Sequence, residues 1–66
     1  MFWYVINDSG QCFIAPGNDE AEAIENARPM FASHVIYDAA YGTAVPDPRF
    51  LPNGLRAELL GDHWEP

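Results

Sequence analysis

Residues 2–6 read Phe-Trp-Tyr-Val-Ile, an unbroken run of aromatic and β-branched side chains. Such residues favour extended backbone, so the run is expected to be a strand. Its two faces are both apolar: Phe2, Tyr4 and Ile6 on one, Trp3 and Val5 on the other. A strand of that kind belongs at the centre of a sheet or is covered on both sides. Asn7, Asp8, Ser9, Gly10 and Gln11 follow with turn chemistry, and residues 12–15 are again apolar. The two runs and their short loop spell a β-hairpin.

Pro16, Gly17 and Asn18 end the second strand. Asp19 with Glu22 three residues on resembles a capping box, with Asp in the Ser position. Asp19, Glu20 and Glu22 then occupy the first turn, where the helix dipole favours negative charge. Residues 19–28 are good helix formers with a narrow apolar stripe of Ala23, Ile24 and Ala27. Pro29 disfavours helical geometry at Arg28, so the helix is expected to end or kink there, with a further turn over 30–33 left open. Residues 34–39 alternate as a third strand, with Val35, Tyr37 and Ala39 on one face.

Beyond Gly42 the composition shifts. Residues 45–52 carry three prolines, which makes them extended and unsuited to a central strand. Residues 55–60 fit either a short helix or an edge strand, and Trp64 is expected to pack back as an anchor. The expected architecture is α+β: a small antiparallel sheet in β-β-α-β order, one acidic helix on one face, and an irregular Pro-rich C-terminal arm. A chain of 66 residues is a single domain, with 1–42 forming the β-hairpin, helix and third strand and 43–66 the Pro-containing C-terminal arm. A domain this small buries only about 60% of the surface its unfolded chain exposes.

Charge sets the functional expectation. Ten acids face three arginines and no lysine, for a formal net charge of −7. Direct nucleic-acid binding is excluded, because it requires Lys and Arg to neutralise phosphates. Anionic membrane surfaces are disfavoured for the same reason. The expected partner is a basic protein. Asp19, Glu22 and Glu25 lie three apart on the helix, with Glu20 beside them, so their Cβ atoms are spaced by ~5–6 Å. That is comparable to a nucleic-acid strand, with one phosphate every ~3.4 Å of duplex axis. Asp38 and Asp47 complete the set of acids read as partner contacts, set against the plainer reading of a solvated helix face.

Chemistry beyond binding has little support in the residues. His34 and His63 lie far apart, and no Cys/His pair has zinc spacing. The Asp8 loop lacks the alternating oxygen ligands of a calcium site. No metal, cofactor or catalytic activity is expected. Cys12 is the only cysteine, so no internal disulfide forms. It reads as an inert core residue, although a contact with His34 across neighbouring strands would imitate a nucleophile–base pair. Arg28 suits the helix C-terminus and a bridge to Glu25, while Arg49 and Arg56 are expected to pin the arm to nearby acids. Trp3, Tyr4 and Tyr41 fit either the core or an interface, with the core expected in so small a domain. Phe50 and Leu51, if exposed, would form an apolar anchor.

The start of the chain lacks the basic and long apolar segments of a signal peptide or a membrane span, and the expected location is the cytoplasm. The whole profile (66 residues, net −7, no lysine, one cysteine and a helix rich in Asp and Glu) resembles small, acidic, phage-encoded inhibitors of host defence, including anti-CRISPR proteins of the DNA-mimic type. That resemblance implies a stoichiometric, non-catalytic inhibitor in the host cytoplasm that occupies the DNA-binding or PAM-reading surface of a CRISPR surveillance complex, with the DNA-binding subunit as the partner. A different class also fits the residues, an antitoxin- or adaptor-like module that binds through the apolar arm or a sheet edge. A monomer or a weak dimer is expected, since −7 per chain opposes self-association unless the charges point away.

Overall fold

The computed structural model describes residues 1–61. The apolar run forms strand β1 (Phe2–Ile6), followed by β2 (Cys12–Pro16) and the helix α1 (Glu20–Ala32). Next come β3 (Val35–Asp38), β4 (Thr43–Pro46), a single 3₁₀ turn (Pro48–Phe50) and β5 (Arg56–Gly61). β1 lies at the centre of a three-stranded antiparallel sheet in the order β2-β1-β5. β3 and β4 form a separate two-stranded antiparallel sheet. The α+β class, the antiparallel sheet and the helix packed on it agree with the sequence expectation.

Several local expectations change. The strand that completes the main sheet comes from the C-terminal arm, which is therefore not irregular: β5 pairs along β1 from Ile6↔Arg56 to Phe2↔Gly61, with one irregularity between Phe2 and Trp3. Residues 56–61 take the edge-strand alternative and not the helical one. The strand expected at 34–39 is present but belongs to the second sheet. Cys12 is consequently not a neighbour of His34 in a sheet, and it is exposed and not in the core. The expected anchor Trp64, together with Asp62, His63 and Glu65, lies outside the described residues.

The core is small and aligned along one side of the sheet. Val5, Ala15, Ala23, Ala27 and Phe31 are buried, with Trp3, Phe13, Ile24, Phe50, Leu55 and Ala57 packed around them. Alanine on both the strand and the helix lets α1 lie close to the sheet, and Phe31 fills the space that remains. Gly17 permits the same close approach at the helix start. A Cβ there would stand 2.6 Å from the Ala23 nitrogen. The Gly17 C=O accepts from the Trp3 indole N–H at 2.9 Å, and the Asn26 amide donates to the Pro16 C=O at 2.8 Å. These bonds fix the strand-to-helix connection against both elements.

α1 runs through Pro29 and ends at Ala32, four residues beyond the boundary expected at Arg28. Proline removes one N–H from the helix ladder. Stopping at Arg28 would withdraw Phe31 from the core, and burying an aromatic side chain contributes more than one net hydrogen bond. Ser33 closes the end, its N–H donating to the Pro29 C=O at 2.9 Å.

Candidate functional site

The start of α1 follows the capping chemistry that the sequence implies. Asp19 is the N-cap in extended backbone, and its Oδ1 accepts from the Glu22 N–H at 2.8 Å. Glu22 reaches back to accept from the Asn18 N–H at 3.2 Å. Asp19, Glu20, Glu22 and Glu25 are all exposed. At 100° per residue Glu22 and Glu25 fall on the face opposite Ala27 and Phe31, so they point away from the sheet. Glu25 is paired with Arg28 at 3.5 Å, in the i,i+3 geometry expected. The other three acids have no ion-pair partner among the described residues.

The remaining two acids of the expected set are elsewhere. Asp38 is half-buried where β3 ends, and its Oδ1 accepts from the Ala40 N–H at 2.8 Å in an Asx turn. It follows the C-terminal end of α1 in the chain, and the helix from Asp19 to that end is itself about 20 Å long. Asp47 is a correction: its side chain is only 2% exposed and cannot contribute to a surface. It accepts from the Arg49 backbone N–H at 3.0 Å and from the Arg49 guanidinium at 3.3 and 3.4 Å. These Arg49 hydrogen bonds hold its carboxyl below the ordinary aspartate range, against the opposing effect of burial, and the charges of Arg49 and His34 add to the lowering. Arg49 therefore binds an acid of its own arm. Arg56 makes no ion pair among the described residues.

Asp47 belongs to a junction from which the second sheet emerges. Its N–H donates to the His34 C=O at 3.1 Å, and its carboxylate stands 3.4 Å from His34 Nδ1. The His34 ring stacks on Phe50, with centroids 3.8 Å apart and planes 16° from parallel. Phe50 continues to Phe13, and Phe13 meets Phe31 edge-on at 4.7 Å. Phe50 is thus joined to the core instead of forming an exposed anchor, and Leu51 alone of that pair is exposed.

The apolar surface is found instead on β3 and the loop after it. Val35 is 50% exposed, Ile36 42%, Tyr37 72% and Tyr41 77%. Tyr4 is also on the surface, so of the three aromatics expected inside only Trp3 packs against the core. Only one residue of the sequence, in the neighbouring strand, pointed to the exposed apolar group. Its composition is that of a core strand, and only the absence of a covering layer makes it surface. Pro46 was the available hint, since proline in a strand marks an edge.

The described residues contain no enclosed pocket and no group of three His, Cys, Asp or Glu side chains arranged for a metal ion. Among the described residues no helix is long and apolar enough to cross a membrane. Compared with protein-family models, curated proteins and solved structures, the chain matches nothing.

Proposed function

We propose that this protein binds stoichiometrically, through the acidic start of α1, to a basic nucleic-acid-binding surface of a partner protein. One observation carries the reading: Asp19, Glu20, Glu22 and Glu25 are exposed together on the first two turns of one helix, and among the described residues only Glu25 has a compensating cation. Arg28 offsets Glu25 of this row, Arg49 is engaged by Asp47 instead, and the chain has no lysine to neutralise the rest. A row of carboxylates on a rigid helix presents charge at spacings a phosphate-binding groove accepts. The capping bonds of Asp19 and Glu22 hold part of that row in place. Charge of one sign raises the association rate with a basic surface and makes the complex salt-sensitive. The DNA-binding subunit of a CRISPR surveillance complex is the first candidate partner, on the resemblance in overall profile.

The test is competition. Purified surveillance complexes and other DNA-binding proteins are titrated with the protein in the presence of labelled duplex DNA, at low and high salt. The expected result is displacement of DNA at low salt, weakened at high salt and lost when Glu20, Glu22 and Glu25 are changed together to Lys. If the triple variant binds every basic candidate as the parent does, the reading is wrong.

A further inference from the structure

The β3–β4 sheet has only two strands, and a two-stranded hairpin on its own is marginal in water. Its two outer edges are not equivalent. The Asp47 N–H bond to the His34 C=O fixes the phase of the ladder. With Ile36 opposite Val45 and Asp38 opposite Thr43, the backbone groups of 34, 36 and 38 point toward β4. Those of Val35 and Tyr37 therefore point outward. Among the described residues no other hydrogen bond reaches either of them. On β4 the outward groups belong to Ala44 and Pro46, and Pro46 has no N–H to offer. The β4 edge is closed to strand addition in the way natural edges are protected, and the β3 edge is open.

We propose that the β3 edge pairs antiparallel with β3 of a second copy of this chain, joining two hairpins into a four-stranded sheet. A two-fold axis at Ile36 sets Val35 opposite the second copy's Tyr37, so that the outward N–H and C=O groups of both residues exchange hydrogen bonds in each direction. Ile36 meets its own counterpart on the axis. The resulting Val–Tyr and Ile–Ile cross-strand pairs are of the favourable aromatic and β-branched kind. Charge favours the same occupant. Asp38 is the single charged residue between 35 and 46, and in this register it stands opposite the second copy's His34. The acids of α1 lie at the far end of the helix, away from the axis. A basic partner would find almost no charge to attract it at this edge, whereas a second copy presents the matching apolar strand. The interface is isologous and closed, so pairing stops at two. Two strands of four residues each make a small contact, so assembly is expected to depend on concentration.

The experiment combines sedimentation with amide hydrogen exchange on the full chain, from about 10 µM to about 1 mM, the range in which weak interfaces assemble. The parent should move toward twice its 7.4 kDa mass. The Val35 and Tyr37 amides should exchange about tenfold more slowly at the upper concentration, while the amides already bonded to β4 change little. Ile36→Lys, which sets like charges on the axis, should remain monomeric. Val35→Pro removes one outward N–H without removing a bond to β4, and it should also remain monomeric. Circular dichroism on both variants checks that the main sheet and helix persist. A parent that stays monomeric at 1 mM overturns the proposal, as does a dimer that both variants preserve or one that leaves Val35 and Tyr37 unprotected. The proposal is independent of the acidic-helix reading. Glu20, Glu22 and Glu25 changed to Lys should abolish DNA competition and leave the concentration-dependent mass intact.

Discussion

Asn7 shows how one polar side chain joins two distant parts of this chain. It is buried, and its amide donates to the Arg49 and Leu51 carbonyls at 2.9 and 3.0 Å. Its carbonyl accepts from the Ser9 and Gln11 N–H groups at 3.1 and 2.9 Å. The first hairpin turn is thereby tied to the 3₁₀ turn more than forty residues later, with all four bonding positions of the amide used. Asn7→Ala removes four part-buried hydrogen bonds at once and should cost about 1–3 kcal/mol in urea unfolding. Asp47 plays the corresponding ionic part at the base of the second hairpin. A carboxyl whose folded pKa lies below its unfolded value stabilises the fold fully above the unfolded value, and that stability is lost as pH falls through the folded one. The Arg49 bonds lower the Asp47 value, so acidification below the ordinary aspartate range should loosen the junction. Asp47→Asn should flatten that part of the stability–pH curve, as read by the thermal midpoint across acid pH.

At the level of elements, the helix depends on its two ends and on a single large core residue. Gly17→Ala would press a methyl group against the Ala23 backbone and should destabilise by about 1–3 kcal/mol, the usual range for overpacking. Phe31→Ala opens a cavity beneath the sheet and should cost about 3–5 kcal/mol. In so small a domain that is enough to leave a large unfolded fraction at 25 °C, measurable by circular dichroism. Asp19→Ala should cost about 0.5–2 kcal/mol through the lost cap, without changing the core. The contrast separates two roles of α1. Its buried stripe holds the sheet, and its first turn presents charge.

The whole molecule is elongated. Its radius of gyration is 13.2 Å, and its extents are 44 × 23 × 16 Å. A compact globule of this length would have a radius near ~11 Å. The excess comes from the β3–β4 hairpin, whose exposed side chains leave it outside the two-layer packing of the β2-β1-β5 sheet and α1. The acidic start of α1 and the apolar β3 edge consequently face different surroundings. Net charge of −7 on so small a body also opposes the compact state, so added salt should raise the thermal midpoint by a few degrees through screening. A midpoint that falls with salt would show that the acids are compensated within the fold.

The central strand, the first hairpin, the capped acidic helix and the α+β class were legible in the chain, because each is decided by neighbours within a few residues. Phe2–Ile6 is apolar on both faces, and Asp19 and Glu22 cap locally. The excess of negative charge is likewise a property of composition, independent of any contact. Partner choice among strands was not local. Residues 35–38 and 56–61 are both plausible third strands, and their assignment depends on which can reach β1 while Asn7 and Phe50 are satisfied. The same holds for Asp47, which looks like any surface acid until Arg49, His34 and the 3₁₀ turn close around it. Sequence determines what each segment prefers by itself. Tertiary structure decides which surfaces are left over, because burial is a relation between segments distant in the chain.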